Sequence, residues 1–82
     1  MGKNDYRGFD MEKTGQNIER LIHEKKMTYM EVAMHMNVTV QAVYKWRKGK
    51  CLPGWDMVDQ LCKLLGTTFD GLIIRKEDGG ET

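Results

Sequence analysis

Four basic side chains lie close together near the middle of the chain, without an acidic neighbour. Residues 37–53 contain no Asp or Glu, and their basic residues are Lys45, Arg47, Lys48 and Lys50. This segment therefore carries +4, although the whole chain has a formal net charge of only +1. Ammonium and guanidinium groups gathered in one place bind anions such as phosphate groups. The charge distribution predicts a local anionic partner rather than general attraction to acidic surfaces.

Two polar side chains precede these cations at helical spacing. The amide of Gln41 donates and accepts hydrogen bonds at once, and Tyr44 carries a phenolic hydroxyl. Each also has an ordinary structural interpretation, as an exposed surface glutamine and as a ring packed over the stem of Lys45 or Lys48. Neither histidine of the chain belongs to a motif with a nucleophile, so we expect no enzyme.

The residues best suited to bind a transition metal are two histidines and two cysteines, His23, His35, Cys51 and Cys62. They show neither a Cys-x-x-Cys spacing nor closely spaced histidines, so we expect no metal and no other cofactor. Two cysteines are too few for the disulfide framework of a small secreted protein, and we expect reduced thiols. A redox-sensitive Cys51, beside Lys50, remains an alternative.

Helices must position these side chains, because apolar residues recur three and four positions apart through most of the chain. The first helix is predicted over residues 14–26. Thr28 and Glu31 have the spacing of a capping box, which begins a second helix. Asn37 ends that helix, since asparagine tolerates the left-handed conformation that turns a chain out of a helix.

The third helix is predicted over residues 40–48, with Thr39 as its N-cap and Gly49 as its end. Val43 and Trp46 share its apolar face. The cations and polar groups described above must therefore lie on the other faces of this helix, where an anionic partner can reach them.

A fourth helix follows Gly54 and ends at Gly66, and a short fifth helix begins after Thr67 or Thr68. Trp55 lies on the apolar stripe of the fourth helix and is expected in the core, like the tryptophan of the third. No strand pattern competes with these elements. The predicted fold is all-α, a compact bundle of five helices.

Five methionines are expected to fill the core: Met27, Met30, Met34, Met36 and Met57. Methionine side chains are flexible, so they fit irregular gaps between helices. The alternative is a partly exposed Met30 and Met34 that contribute to a groove for a protein partner.

The chain is long enough for one domain, and its two ends differ in composition from its middle. Residues 1–13 are predicted to form a flexible N-terminal arm, residues 14–74 the domain, and residues 75–82 a disordered C-terminal tail. No apolar run reaches the roughly 18 residues that span a bilayer, and the N-terminus lacks the apolar stretch of a signal peptide. We therefore expect a cytoplasmic protein.

An ordered series of short motifs runs from about Thr14 to Ile73. In chain order the motifs are Thr14-Gly15-Gln16-Asn17-Ile18-Glu19-Arg20-Leu21, Thr28-x-x-Glu31-Val32-Ala33, Asn37-Val38-Thr39, Val43-Tyr44-Lys45-Trp46-x-x-Gly49 and Leu52-Pro53. The series resembles the lambda-repressor and Cro-like family, also called the XRE family, of bacterial and phage helix-turn-helix regulators. Each motif is weak alone, and their order makes the resemblance specific.

This resemblance implies that the second and third helices form a helix-turn-helix and that the protein acts as a dimer. The third helix would enter the major groove of a double-stranded operator. Tyr29 opens the second helix, where the family commonly has a phosphate-binding glutamine. Carried over by position, the residues that face bases or phosphates are Thr39, Val40, Gln41, Tyr44 and Lys45, and those that flank the DNA backbone are Lys48 and Lys50.

One pair of positions departs from the family pattern. Many members have an arginine after the leucine of the first helix and a glutamate after the tryptophan of the third, and the two side chains pair. Here these positions hold Ile22 and Arg47. Because the loss of one partner alone would strand a charge at a cost of about 3–5 kcal/mol, the loss of both indicates an exchanged pair. Arg47 is then expected to be free to face solvent or phosphate, and it joins the predicted DNA-binding residues.

Two kinds of contact with DNA are predicted from these residue types. The four cations are expected to neutralise phosphates, and two subunits with about four such contacts each would give a slope of log affinity against log salt of roughly −7. Gln41 is expected to bind an adenine edge through both atoms of its amide, and Val40 to meet a thymine methyl group. Tyr44 offers its hydroxyl to a phosphate or a base.

The resemblance favours a sequence-specific transcriptional regulator, a repressor that acts as a homodimer at a pseudo-palindromic operator. The alternative is the antitoxin component of a toxin–antitoxin pair, which would bind DNA and also a protein partner. That partner would use the N-terminal arm or the Ile73-Ile74 end of the domain. A toxin gene beside this one would discriminate between the two functions.

Overall fold

The computed structural model describes residues 8–76, and most of them are helical. In chain order the helices are α1 (Met11–Glu24), α2 (Tyr29–Met36), α3 (Val40–Arg47), α4 (Trp55–Leu65) and α5 (Phe69–Leu72). Within the described range, β pairing is limited to one isolated bridge between Phe9 and Arg75. No helix in that range is both long and apolar enough to cross a bilayer. The all-α prediction with five helices is confirmed.

Side-chain caps define the ends of α2 and α3 as the sequence predicts. The Thr28 hydroxyl accepts the N–H of Glu31 at 3.0 Å, and the Glu31 carboxylate accepts the N–H of Thr28 at 2.8 Å. Asn37 follows α2 with φ of 58°, in the left-handed region. The Thr39 hydroxyl then accepts the N–H of Ala42 at 3.2 Å and begins α3. Two short helices are thus joined by a tight turn that local interactions determine.

Helix α1 begins at Met11 rather than at residue 14. The cause is Asp10, whose carboxylate accepts the N–H of Lys13 at 2.9 Å and so satisfies the first turn. The added turn brings the start of α1 against the loop after α3, where Gly49 adopts φ of 75° and lies beside Met11.

The segments that flank the bundle pair with each other. The N–H of Asp10 donates to the carbonyl of Ile74 at 2.7 Å, beside the isolated bridge. The predicted arm and the predicted tail therefore meet at their inner ends, because backbone hydrogen bonds join them. The outer parts of both predictions, residues 1–7 and 77–82, lie outside the described range.

The core lies between α1, α2, α3 and α4, and α5 closes one end of it. Its buried apolar residues are Ile18, Ile22, Val32, Ala33, Met36, Val43, Trp46, Val58, Leu61, Cys62, Leu65, Leu72 and Ile73. Trp46 is buried as predicted, but the prediction of a buried Trp55 is wrong, since that residue is 59% exposed. Trp55 is the first residue of α4, at the edge of the bundle, and its ring packs against Phe69 with centroids 5.6 Å apart.

The methionines divide between the core and the surface. Met36 is buried, and Met27 and Met57 are half-buried against the core. Met30 and Met34 are instead 61% and 74% exposed, so the core-filling prediction is wrong for these two. They stand one helical turn apart on α2, on the face opposite to the buried Val32, Ala33 and Met36.

Helices α1 and α3 approach each other closely because α1 has a glycine at the crossing. A Cβ atom added at Gly15 would lie 2.6 Å from the carbonyl oxygen of Trp46 and would also overlap that of Arg47. Two residues further on, about half a turn around the helix, the Asn17 amide donates to the carbonyl oxygens of Gly71 and Leu72 at 2.7 and 2.9 Å. Helix α1 therefore positions α3 on one side and anchors α5 on the other.

Candidate nucleic-acid interface

The outer face of α3 presents a continuous row of polar side chains. Gln41, Tyr44, Lys45 and Lys48 are all exposed, and they are spaced three, four and seven positions apart along the helix and its C-cap. Residues at these intervals lie on one face, one above the other. The opposite face of α3 is buried through Val43 and Trp46. We call the exposed set Gln41, Tyr44, Lys45 and Lys48 the α3 row.

The remaining residues predicted at this surface lie at its edges. Lys50 is exposed in the loop after α3. Thr39 is exposed at the start of α3, and its hydroxyl already accepts the N–H of Ala42. Val40 is half-buried and packs partly against the core, which leaves less of its side chain for a thymine methyl group than the sequence suggests. The structure therefore places Gln41 and the lysines on one exposed surface, whereas Val40 contributes partly to the core.

The charged side chains of α3 and of the loop after it are all positive. The first turn of α3 contains no acidic residue, and its last turn contains Lys45 and Arg47. Beyond it, Lys48 and Lys50 are exposed, and no carboxylate lies between residues 37 and 53. A surface of this sign attracts phosphates at long range and binds them at short range.

Beside the α3 row, four side chains from three helices form a compact group that we call the Glu19 cluster. Its members are Glu19 from α1, Tyr29 from α2, and Tyr44 and Arg47 from α3. The two tyrosine rings pack edge to face, with centroids 5.1 Å apart and planes at 88°. The Arg47 guanidinium carbon lies 5.7 Å from the Tyr29 ring centroid and 5.9 Å from that of Tyr44. An Nη1 atom of the same group lies 3.7 Å from Glu19 Oε1.

The prediction that Arg47 is free is therefore wrong. Only 31% of its side chain is exposed, its charge faces Glu19, and its Nε atom is buried without a hydrogen-bond partner among the described residues. Ile22 is fully buried at the position for which the resemblance implies an arginine. The ion pair between α1 and α3 therefore has the opposite polarity to the pair that the resemblance implies, with the acid on α1 and the base on α3.

Tyr29 titrates differently from an exposed tyrosine. Burial raises the pKa of its hydroxyl above the ordinary value, and the Glu19 carboxylate raises it further through its charge and a hydrogen bond. Arg47 acts in the opposite direction because its positive charge favours the phenolate. The hydroxyl is protonated at neutral pH, as that of any tyrosine is, and the raised pKa extends the protonated state to higher pH.

Sequence reasoning gave Glu19 no role at this surface. The pair of residues at positions 22 and 47 was only a partial signal, because it indicates a new environment for the cation on α3 without indicating which residue is its partner. Glu19 is the acidic residue of α1 one turn before Ile22, on the side that faces α3.

Neither cysteine of the chain belongs to the α3 row or to the Glu19 cluster. Cys62 is buried in the core, where burial and then the charge of Asp59 raise the pKa of its thiol, which makes it less reactive at neutral pH. Cys51 is half-buried, and its thiol is free. Throughout residues 8–76, no three side chains of His, Cys, Asp or Glu stand close enough together to hold a metal ion.

Two short helices joined by a tight turn, with a row of amide, phenol and ammonium groups on the second helix, define a helix-turn-helix DNA-binding domain. Residues 17–78 match the family model of the Cro/C1-type helix-turn-helix DNA-binding domain. The chain belongs to this family, whose domains bind DNA in transcription regulation. Neither the comparison with curated proteins nor the comparison with solved structures gives a match.

Proposed function

We propose that this protein is a sequence-specific repressor of transcription that inserts α3 into the major groove of double-stranded DNA. The observation that carries the proposal is the α3 row, which places one amide, one phenol and two ammonium groups on the exposed face of a helix whose other face is buried. Family membership supports DNA binding as the activity, and the α3 row offers the side chains that would contact the DNA. A major groove about 12 Å wide accepts a helix that projects in this way.

Within this surface, one set of side chains binds phosphates and another recognises bases. Lys45, Lys48 and Lys50 neutralise phosphates, which gives affinity without sequence information. Gln41 stands near the N-terminal end of α3, the end that approaches base edges in helix-turn-helix complexes. Its amide can accept from the exocyclic amine of adenine and donate to the neighbouring ring nitrogen, so it carries specificity.

The length of α3 favours action as a homodimer. Eight helical residues span about 12 Å, which corresponds to roughly four base pairs. Two copies related by a twofold axis read twice as many, on half-sites about 34 Å apart in a pseudo-palindromic operator. Occupation of such a site excludes polymerase where the operator overlaps the promoter, so repression requires DNA binding and dimerisation but no effector site.

Replacement of Gln41 by Ala is expected to relax sequence preference without loss of general DNA affinity. A bidentate glutamine–adenine contact discriminates by about 1–3 kcal/mol, so the preference for the best site over its A-to-G variant should fall by about 5- to 150-fold per half-site. The slope of log affinity against log salt should not change, because no cation is removed. Titration of fluorescent duplexes at several salt concentrations measures both quantities.

The matched control is Gln60→Ala, which removes the same amide from an exposed position on α4. It should leave both the site preference and the salt slope at their original values. If Gln41→Ala retains the full preference of the unmodified protein, another side chain reads the DNA and the proposed orientation of α3 is incorrect.

A second candidate is the antitoxin of a toxin–antitoxin pair. The exposed Met30 and Met34 favour a protein partner, because two apolar side chains on one helical face suit an interface. The Ile73-Ile74 end does not, since Ile73 is buried and Ile74 is half-buried. Co-expression with the product of a neighbouring toxin-sized gene, followed by mass measurement of the purified complex, tests this candidate.

A further inference from the structure

We propose that Glu19 and Arg47 are positioning residues for DNA recognition, which hold Tyr44 and the outer face of α3 in place and do not contact DNA themselves. This inference rests on the proposed function, since it concerns how the α3 row is oriented. It assigns a role to Glu19, a residue of α1, the helix that carries no part of the row.

The surroundings of Arg47 separate it from the lysines of the row. Two tyrosine rings flank its guanidinium, Glu19 faces its Nη1 atom, and its Nε atom is buried. Arg47 is half-buried, so less of its side chain is open to a phosphate than in the exposed lysines. Lys45 and Lys48, by contrast, are exposed on the outer face. A cation enclosed on most sides acts on its neighbours more than on a ligand in solvent.

The charge of Arg47 is already neutralised by Glu19. The Glu19 side chain is 38% exposed, and an unpaired carboxylate at the edge of a phosphate-binding surface would repel DNA. With Arg47 beside it, the pair carries no net charge. Such a pair releases no counterions on binding, so it leaves the salt dependence of binding to the lysines.

Tyr44 connects this pair to the row. It is a member of both groups, because the residue is 42% exposed on α3 and its ring packs edge to face with that of Tyr29, the first residue of α2. Rotation of α3 about its axis would break the contact between the two rings. It would also move Gln41, which stands one turn before Tyr44, away from the bases. The cluster therefore fixes the angle at which α3 presents its specific side chain.

The test is a double variant that keeps the net charge constant, Glu19→Gln with Arg47→Gln. Its affinity is measured for the preferred duplex and for a random duplex, each across a range of salt concentrations, at a temperature where circular dichroism shows the variant folded. The control is Asp59→Asn with Lys63→Gln, which removes an exposed ion pair of 3.4 Å from α4 and also preserves net charge.

For the cluster variant we expect affinity for the preferred duplex to fall by about tenfold, the effect of one lost contact network, with affinity for random DNA changed less than about twofold. Its salt slope should equal that of the unmodified protein, and the control should match that protein in every measurement. A slope flattened by about one unit per subunit would overturn the inference, because it would mean that Arg47 binds phosphate. Unchanged affinity for the preferred duplex in a folded variant would overturn it too, because the cluster would then serve stability alone.

Tyrosine titration provides an independent check of the geometry. The single variant Glu19→Gln should lower the pKa of Tyr29, since the carboxylate raises it, and Arg47→Gln should raise that pKa, since the guanidinium lowers it. Equal titration curves for both variants and the unmodified protein would contradict the cluster itself. If the unmodified protein prefers no duplex at all, the proposed function fails, and the titration still reports on the cluster.

Discussion

Gly15→Ala is expected to lower the free energy of unfolding by about 3 kcal/mol, the upper part of the range for overpacked cores. The added Cβ atom would overlap the backbone carbonyl oxygens of Trp46 and Arg47, and neither can move without a shift of α3 away from α1. For a domain of this size such a loss lowers the melting temperature by roughly 12–24 °C. Thermal unfolding followed by circular dichroism at 222 nm measures the effect.

Gly8→Ala is the matched control, because a Cβ atom at Gly8 meets nothing within 4 Å. The control should melt at the temperature of the unmodified protein. Equal melting temperatures for Gly15→Ala and the control would mean that α1 and α3 do not cross as closely as described. In that case the support that α1 gives to the DNA-binding surface would also be in doubt.

The second large effect is the dependence of DNA affinity on salt. In the proposed homodimer, three lysines from each subunit, Lys45, Lys48 and Lys50, would make six phosphate contacts, for which the slope of log affinity against log salt is about −5. Affinity should therefore fall about 10³-fold between 50 and 200 mM salt. The sequence alone predicts a steeper slope because it counts Arg47, which the structure pairs with Glu19.

Single-lysine variants locate the origin of this dependence. Lys48→Ala should flatten the slope by about two units for a dimer, one contact being lost from each subunit. Lys63→Ala, which removes an exposed lysine from α4, should not change it. Fluorescence anisotropy of labelled duplexes at increasing potassium chloride measures all three proteins. Equal flattening by both variants would indicate attraction by overall charge rather than contact through α3.

The sequence predicts the helix ends best, because the groups that determine them are neighbours in the chain. Thr28 and Glu31 satisfy each other's backbone within one turn, and Asn37 needs only its own backbone angles to end α2. The start of α1 was misplaced although its cap is also local, because the capping Asp10 lies within a segment whose polar composition resembles an arm.

Burial was predicted less well at the margins of the bundle. An apolar stripe tells which face of a helix is turned inward, but it does not tell how far along the helix another element covers that face. Trp55 stands at the first position of α4, beyond most of the core, and α2 is covered only on the side of Val32 and Met36. Met30 and Met34 are exposed for that reason.

The α3 row was predictable and the Glu19 cluster was not. Gln41, Tyr44, Lys45 and Lys48 share a face through helical periodicity alone, which the sequence contains. The pairing of Arg47 with Glu19 depends on how closely α1 and α3 approach, and charge patterns do not state which neighbour neutralises a given cation. The family pattern indicated only that the original pair had been exchanged.

Selection of bound fragments from a pool of random double-stranded DNA tests the central claim most directly, because it examines binding, sequence preference and half-site spacing together. We expect enrichment of two half-sites in inverted orientation, with centres about one helical turn, or 34 Å, apart and with adenine at one position of each. The same selection with Gln41→Ala should lose the preference at that adenine and keep the rest. Recovery of fragments with no common sequence would contradict the account, because α3 would then not read base edges.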